Sequence, residues 1–322
     1  MKKFILRFLL WLVIPFLLAI LVDWMVSSGL RKTDLRKYAV WNDIYKGGMH
    51  PDLLVVGNSQ AWNGYDPRLM DSILNIDSYN LSIVGHFVDY QIIQYNTYRR
   101  FNAKPKVVAL NVSFIGTLGI TADKQYEREQ FFPYIWDDSL ISLVKDDKEI
   151  TFFDRYLPLC RYFGYRDEME EGVKAFFGKK EFPDGHMYKG YRGDASPFYR
   201  GEILPKNEIL TYLYDAAAIE MFDSFVRKIR NEGIAVVFVK YPVYYPLRAK
   251  FTNIAESDSI FEAVSSRYDV PILDFSCSAL SKDSTNYFNP SHLGKKGAEI
   301  FTKEFCQCLD SLGVLKDEGM EE

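Results

Sequence analysis

The sequence predicts an α/β protein: a five-stranded parallel sheet with helices on both faces, a three-layer α/β/α sandwich, preceded by an N-terminal transmembrane helix. Two observations predict it. Short runs rich in branched apolar residues alternate with stretches of helical spacing, the pattern of a parallel sheet. Most of those runs are apolar throughout, as strands covered on both faces require. The 322 residues, 48% of them hydrophobic, suffice for one substantial core without disulfides or metal.

At the start of the chain, Lys2, Lys3 and Arg7 lead into an unbroken apolar run from Phe8 to Val22 that ends at Asp23. Counted from Phe4, with Arg7 snorkelling toward the headgroups, the run approaches the roughly 20 residues that span a bilayer. No small-x-small cleavage signal follows, so residues 1–26 are expected to stay on the chain as a signal anchor. Arg31, Lys32, Arg36 and Lys37 lie beyond the span and compete with the N-terminal cations, so charge alone does not set orientation. The expectation is a single-pass membrane protein with an extracytoplasmic globular domain. A polar linker is expected over 27–48, the domain over 49–315 and an acidic tail over 316–322.

Five strands are expected at Asp52–Gly57, Ser78–Ile83, Val107–Val112, Ile234–Val239 and Val270–Phe275. Helical spacing marks Pro67–Leu74, Asp89–Phe101, Asn207–Asn231, Ile254–Tyr268 and Lys295–Leu312, with Asn231-Glu232-Gly233 as a stop signal. Between the third and fourth strands, about 116–205 is long, aromatic-rich and dotted with Gly and Pro. It reads as an insertion with some helix of its own, for instance Asp167–Phe177, because structureless loops of that length are uncommon in compact domains.

Composition excludes some functions. The 39 basic and 43 acidic residues nearly cancel to a net charge of −4, which gives no basic face for a nucleic acid. Cys160, Cys277, Cys306 and Cys308 form no disulfide framework, and no C-x-x-C or H-E-x-x-H spacing supports a metal, so neither metal nor cofactor is expected.

Ligands of open parallel sheets bind outside the carboxyl ends of the strands. The first strand runs into Gly57-Asn58-Ser59-Gln60, the second into Val84-Gly85-His86, and the third carries Asn111 near its end. Ahead of the last helix stands Asn289-Pro290-Ser291-His292-Leu293-Gly294. A serine hydroxyl becomes a useful nucleophile when an imidazole takes its proton, so Ser59 and His292 are a candidate pair. Each fragment also has a plain structural reading: Gly-Asn-Ser is a common turn, and Asn289-Pro290-Ser291 could cap a helix.

Taken together, these residues resemble the SGNH (GDSL-like) hydrolases, whose four blocks supply a serine, a glycine, an asparagine and a histidine in that chain order. Ser59 matches the G-D-S block, Gly85 the glycine after the second strand, Asn111 the asparagine of G-x-N-D and His292 the histidine of D-x-x-H-L. The resemblance implies a flavodoxin-like sheet, Ser59 as nucleophile and His292 as base. It also implies an oxyanion hole from the N–H groups of Ser59 and Gly85 and the Asn111 amide, each such donor being worth roughly 3 kcal/mol. Two departures stand out. Asn289 occupies the place of the acid, and Ala109 and Val112 replace the Gly and Asp of the third block. An asparagine can orient a histidine but cannot stabilise an imidazolium, and that exchange in a serine protease costs about 10⁴ in turnover. A dyad, a backbone carbonyl, or a carboxylate such as Asp274 or Asp283 could fill the gap.

The anchored arrangement is similar to the acyl-transferring SGNH proteins of bacterial cell envelopes. It implies a serine esterase or O-acyltransferase on acyl, notably acetyl, esters of an envelope glycan, with a multi-pass membrane acyltransferase as a possible partner. The competing expectations are a non-catalytic binding or assembly protein that has lost the triad acid, and an esterase of membrane lipids. His50, His86 and His186 are weaker candidates, and the aromatic clusters 131–136 and 188–192 fit either a sugar platform or packing.

Overall fold

The computed structural model describes residues 2–85, 87–119, 128–144, 150–179, 187–199 and 208–316. His86, His186 and residues 317–322 of the expected acidic tail lie outside the described residues. In chain order the elements are α1 (Lys2–Leu30), α2 (Arg36–Lys46), β1 (Leu53–Val56), α3 (Ser59–Gly64), α4 (Pro67–Leu74), β2 (Ser78–Asn80), α5 (Val88–Phe101) and β3 (Val107–Val112). There follow α6 (Asp138–Val144), α7 (Phe152–Tyr156), α8 (Arg166–Phe176), α9 (Ala216–Asn231), β4 (Ala235–Lys240), α10 (Tyr245–Arg248), α11 (Ile254–Tyr268), β5 (Ile272–Asp274), β6 (Tyr287–Asn289), β7 (His292–Leu293) and α12 (Lys295–Ser311).

The chain divides into two compact units, 44–122 with 187–322 and 1–43 with 123–186. The first of these holds the sheet, whose five strands are all parallel in the order β2-β1-β3-β4-β5. This is the expected fold class; four strands fall within their expected runs, and β4 is shifted by one residue, ending at Lys240 rather than Val239. Every residue of β1 and β3 is buried, which is why their sequences, LLVV and VVALNV, show no alternation. Chain order reverses between β1 and β3, and in open parallel sheets such a switch point, outside the carboxyl ends of the strands, is where ligands bind.

Helices α4 and α11 occupy the expected spans, and α12 ends one residue short of its own. Helix α9 starts at Ala216, later than its spacing suggests; the expected start, Asn207, lies outside the described residues. Leu210 instead bonds to the backbone at Lys250 and Thr252, and the Asp215 side chain accepts the N–H groups of Ala217 and Ala218, which fixes the N-terminus there. On one side of the sheet, Phe301 of α12 meets Tyr65, Tyr241 and Phe275 edge to face, with ring centroids 4.9–5.3 Å apart.

The second unit joins α1 to the insertion. Helix α1 runs unbroken to Leu30, and α2 occupies half of the stretch read as a linker. Trp11–Leu30 is long and apolar enough to cross a membrane or to serve as a signal sequence. Near its end α1 packs on α8, an element expected at Asp167–Phe177. Phe131, Phe132 and Tyr134 of the first aromatic cluster are buried in this unit, so packing accounts for them, while Trp136 stays exposed.

Candidate active site

The turn after β1 is dictated by crowding. A Cβ on Gly57 would lie 2.7 Å from the Ala61 Cβ and 2.8 Å from the Asn111 Cβ, so only glycine lets β1 pass this close to β3 and fold straight into α3. Asn58 then caps the helix, its Oδ1 accepting the Gln60 N–H at 3.0 Å. Ser59 thus becomes the first helical residue, partly exposed, with a backbone N–H that has no acceptor among the described residues.

His292 arrives from the far end of the chain on a short antiparallel hairpin, β6 with β7, in which Asn289 pairs with His292. The hairpin is held in place by the Leu293 N–H, which donates to Tyr241 Oη at 3.1 Å, and by Gln60 Nε2, which donates to the Ser291 carbonyl at 3.3 Å. Phe288 stacks on the imidazole with centroids 5.5 Å apart. In this position His292 Nε2 lies 2.7 Å from Ser59 Oγ, and His292 Nδ1 lies 2.9 Å from Asn289 Oδ1.

The tautomer follows from a third contact. The Ser291 backbone N–H, which can only donate, points at Asn289 Oδ1 at 3.0 Å. The oxygen of that amide, not its nitrogen, therefore faces the ring, and Nδ1 carries the proton. Nε2 is left with its lone pair toward the Ser59 hydroxyl, the arrangement a general base needs. Ser291 Oγ also donates to Asn289 Oδ1 at 3.0 Å and sits 2.9 Å from Nδ1.

Asn289 fixes geometry but brings no charge. Burial pushes the His292 pKa down to about 4, offset in part by the carboxylate of Asp194. Asp194 is the acid whose field reaches the imidazole, and its backbone carbonyl accepts the Lys295 N–H at 2.6 Å. Asp274 and Asp283 are engaged elsewhere: Asp274 accepts the Ser276 N–H, and Asp283 accepts the N–H and hydroxyl of Thr285.

Gly85 lies in the turn after β2 with φ +76°, a conformation open to glycine at little cost. Its N–H is without an acceptor among the described residues. Asn111 sits on β3 beneath Gly57, and its Oδ1 accepts from Tyr65 Oη at 3.2 Å. Its Nδ2 is shut off from solvent and has no partner among the described residues.

Sequence reasoning quoted Ser291 and Gln60 without giving them a role in the site, and passed over Tyr65, Phe288 and Asp194. One signal for Ser291 was present, since an Asn side chain commonly accepts the N–H two residues on. No family model matches the chain, and no curated protein matches it.

Proposed function

We propose that this chain is a membrane-anchored serine esterase or O-acyltransferase of the SGNH-like kind, in which Ser59 is the nucleophile and His292 its general base. The observation that carries the reading is the 2.7 Å contact between Ser59 Oγ and an Nε2 whose tautomer is set by Asn289. In the reaction, Ser59 Oγ attacks an ester carbonyl while Nε2 takes its proton, and the imidazolium returns that proton to the departing alcohol. The resulting acyl-serine passes its acyl group to water or to a second hydroxyl. The N–H groups of Ser59 and Gly85 are the proposed oxyanion donors. Asn111 Nδ2 is shut off from solvent and would have to be uncovered to join them.

The proposed setting is the cell envelope, with α1 retained as a single-pass anchor, the globular part extracytoplasmic, and an acylated glycan as substrate. Retention is supported by the packing of α1, since Asp23 is committed to a buried ion pair with Arg161. A multi-pass acyltransferase partner is compatible with this arrangement.

A second reading is a binding or assembly protein that keeps the pocket without turnover. It is favoured by the uncharged Asn289 and the low His292 pKa, which together make a weak base. Fluorophosphonate labelling of the full-length protein, followed by intact mass, decides between the two. An adduct on Ser59 that is absent from Ser59→Ala and His292→Ala supports the enzyme. No adduct on folded protein refutes it in favour of the binding role.

A further inference from the structure

Within the unit formed by 1–43 and 123–186, α1 and α8 cross at backbone contact. A Cβ on Gly29 would fall 1.7 Å from the Gly172 carbonyl oxygen, and one on Gly172 would fall 2.6 Å from that of Val26. Beside this crossing lies a cavity of about 430 Å³. One wall is apolar, with Phe16 and Ile20 of α1, both of which continue into the exposed face of the helix. The other is basic, with Arg31, Arg155 and Arg161 against the single carboxylate Asp23.

The arginines are incompletely used. Arg161 is 3% exposed and pairs with Asp23 and Ser27, yet its Nε has no partner among the described residues. Among the described residues the Nε of Arg155 is likewise buried and unpartnered, and its carboxylate partner, Asp138, is 84% exposed. Arg31 spends Nε and one terminal nitrogen on the Pro133 carbonyl. A buried guanidinium N–H without an acceptor is costly in an empty pocket and is satisfied by an anionic oxygen.

The rim extends the apolar wall. Trp24, Trp136 and Tyr156 line the pocket and are all more than half exposed. Tyr156 continues into Phe152, with centroids 4.7 Å apart, and Phe152 into Phe153, both of them exposed. Aromatic residues with one wet and one apolar side gather at membrane interfaces. From Phe16 to Ser27 the helix rises about 16 Å, enough to run from the upper acyl chains to the headgroup layer.

We propose that this cavity holds the phosphate of an anionic phospholipid from the bilayer that α1 enters. Arg155 and Arg161 take the phosphate, the acyl chains lie along Phe16 and Ile20, and the aromatic rim seats the insertion in the interface. The proposal rests on the anchor reading and is independent of the Ser59 chemistry. A free anion would have no use for the apolar wall, which is why the occupant is a lipid.

The test uses full-length protein, stripped of lipid in an uncharged detergent and titrated with dihexanoyl phosphatidylglycerol, dihexanoyl phosphatidylcholine and inorganic phosphate, with native mass spectrometry as readout. Phosphatidylglycerol should bind at least about tenfold more tightly than either comparator, and Arg155→Gln should remove that margin with circular dichroism unchanged. Arg155 is chosen because its partner Asp138 is exposed, so the substitution strands no buried charge. Should Arg155→Gln unfold the protein, Ile20→Asn must weaken the phosphatidylglycerol complex by a similar factor. Equal binding of the two lipids, or inorganic phosphate binding as tightly as phosphatidylglycerol, would overturn the proposal. Extraction of the chain from membranes by alkaline carbonate would instead sink the anchor reading, whatever the titration shows.

Discussion

Replacing Asn289 by aspartate puts a carboxylate 2.9 Å from His292 Nδ1, where the amide oxygen now sits. The Ser291 N–H and hydroxyl already donate to that oxygen, so they would hold the new carboxylate in place and favour its charged form. With the charge centres roughly 4 Å apart and an effective dielectric constant near 20, the attraction to an imidazolium is about 4 kcal/mol. At 1.36 kcal/mol per pKa unit this is about three units, enough to carry His292 from about 4 to about 7. A base of that strength matches a neutral medium, and the rate of Ser59 phosphonylation at pH 7.5 should rise by roughly 10²–10³-fold. The assay is the labelling rate from pH 3.5 to 9 for both proteins. The inflection should lie near pH 4 in the wild type and about three units higher in the variant. A folded variant with unchanged rate and inflection would show that His292 is not the base for Ser59.

Four further outcomes follow from the same geometry. The His292 pKa of about 4 in the fold, against an unfolded value near 6.5, means that the unfolded chain binds the extra proton first as pH falls; the stability from neutral His292 is complete above pH 6.5 and is lost on the way down to pH 4, on the order of 3 kcal/mol. Urea melts at pH 7 and pH 4.5 should therefore show a smaller acid loss in His292→Ala than in the wild type. Gly57→Ala should cost about 1–3 kcal/mol in the same melts, because its Cβ meets Ala61 and Asn111 inside 3 Å. Asn111→Ala should lower phosphonylation less than tenfold, since its Nδ2 is closed off, whereas a loss of about 10²–10³ would place the amide in the oxyanion site. Asp23→Ala leaves Arg161 buried without its counter-ion and should destabilise the full-length protein in detergent by about 3–5 kcal/mol, read as a lowered melting temperature.

The sheet was legible because strands buried on both faces must be written as continuous apolar runs, and LLVV and VVALNV are such runs. Helix α9 was legible as an element but not at its start, because the Asp215 cap and the pairing of Leu210 with the 250–252 backbone compete with its spacing. Ser59 and His292 stood out as polar residues beside a strand end and a terminal helix. The meaning of Asn289 did not, since the tautomer depends on the direction of a single backbone N–H, that of Ser291. The crossing of α1 with α8 was equally hidden: Gly29 and Gly172 are ordinary glycines until the fold presses them together.

Ser59 and His292 are 233 positions apart, and all five strands of the sheet come before the hairpin that carries the histidine. Ribosomes add about 5–20 residues per second, so the serine exists for roughly 10–50 s before its imidazole has even been made. No product that stops short of His292 can hold the pair. The contact therefore forms only in a chain whose five sheet strands have all been made.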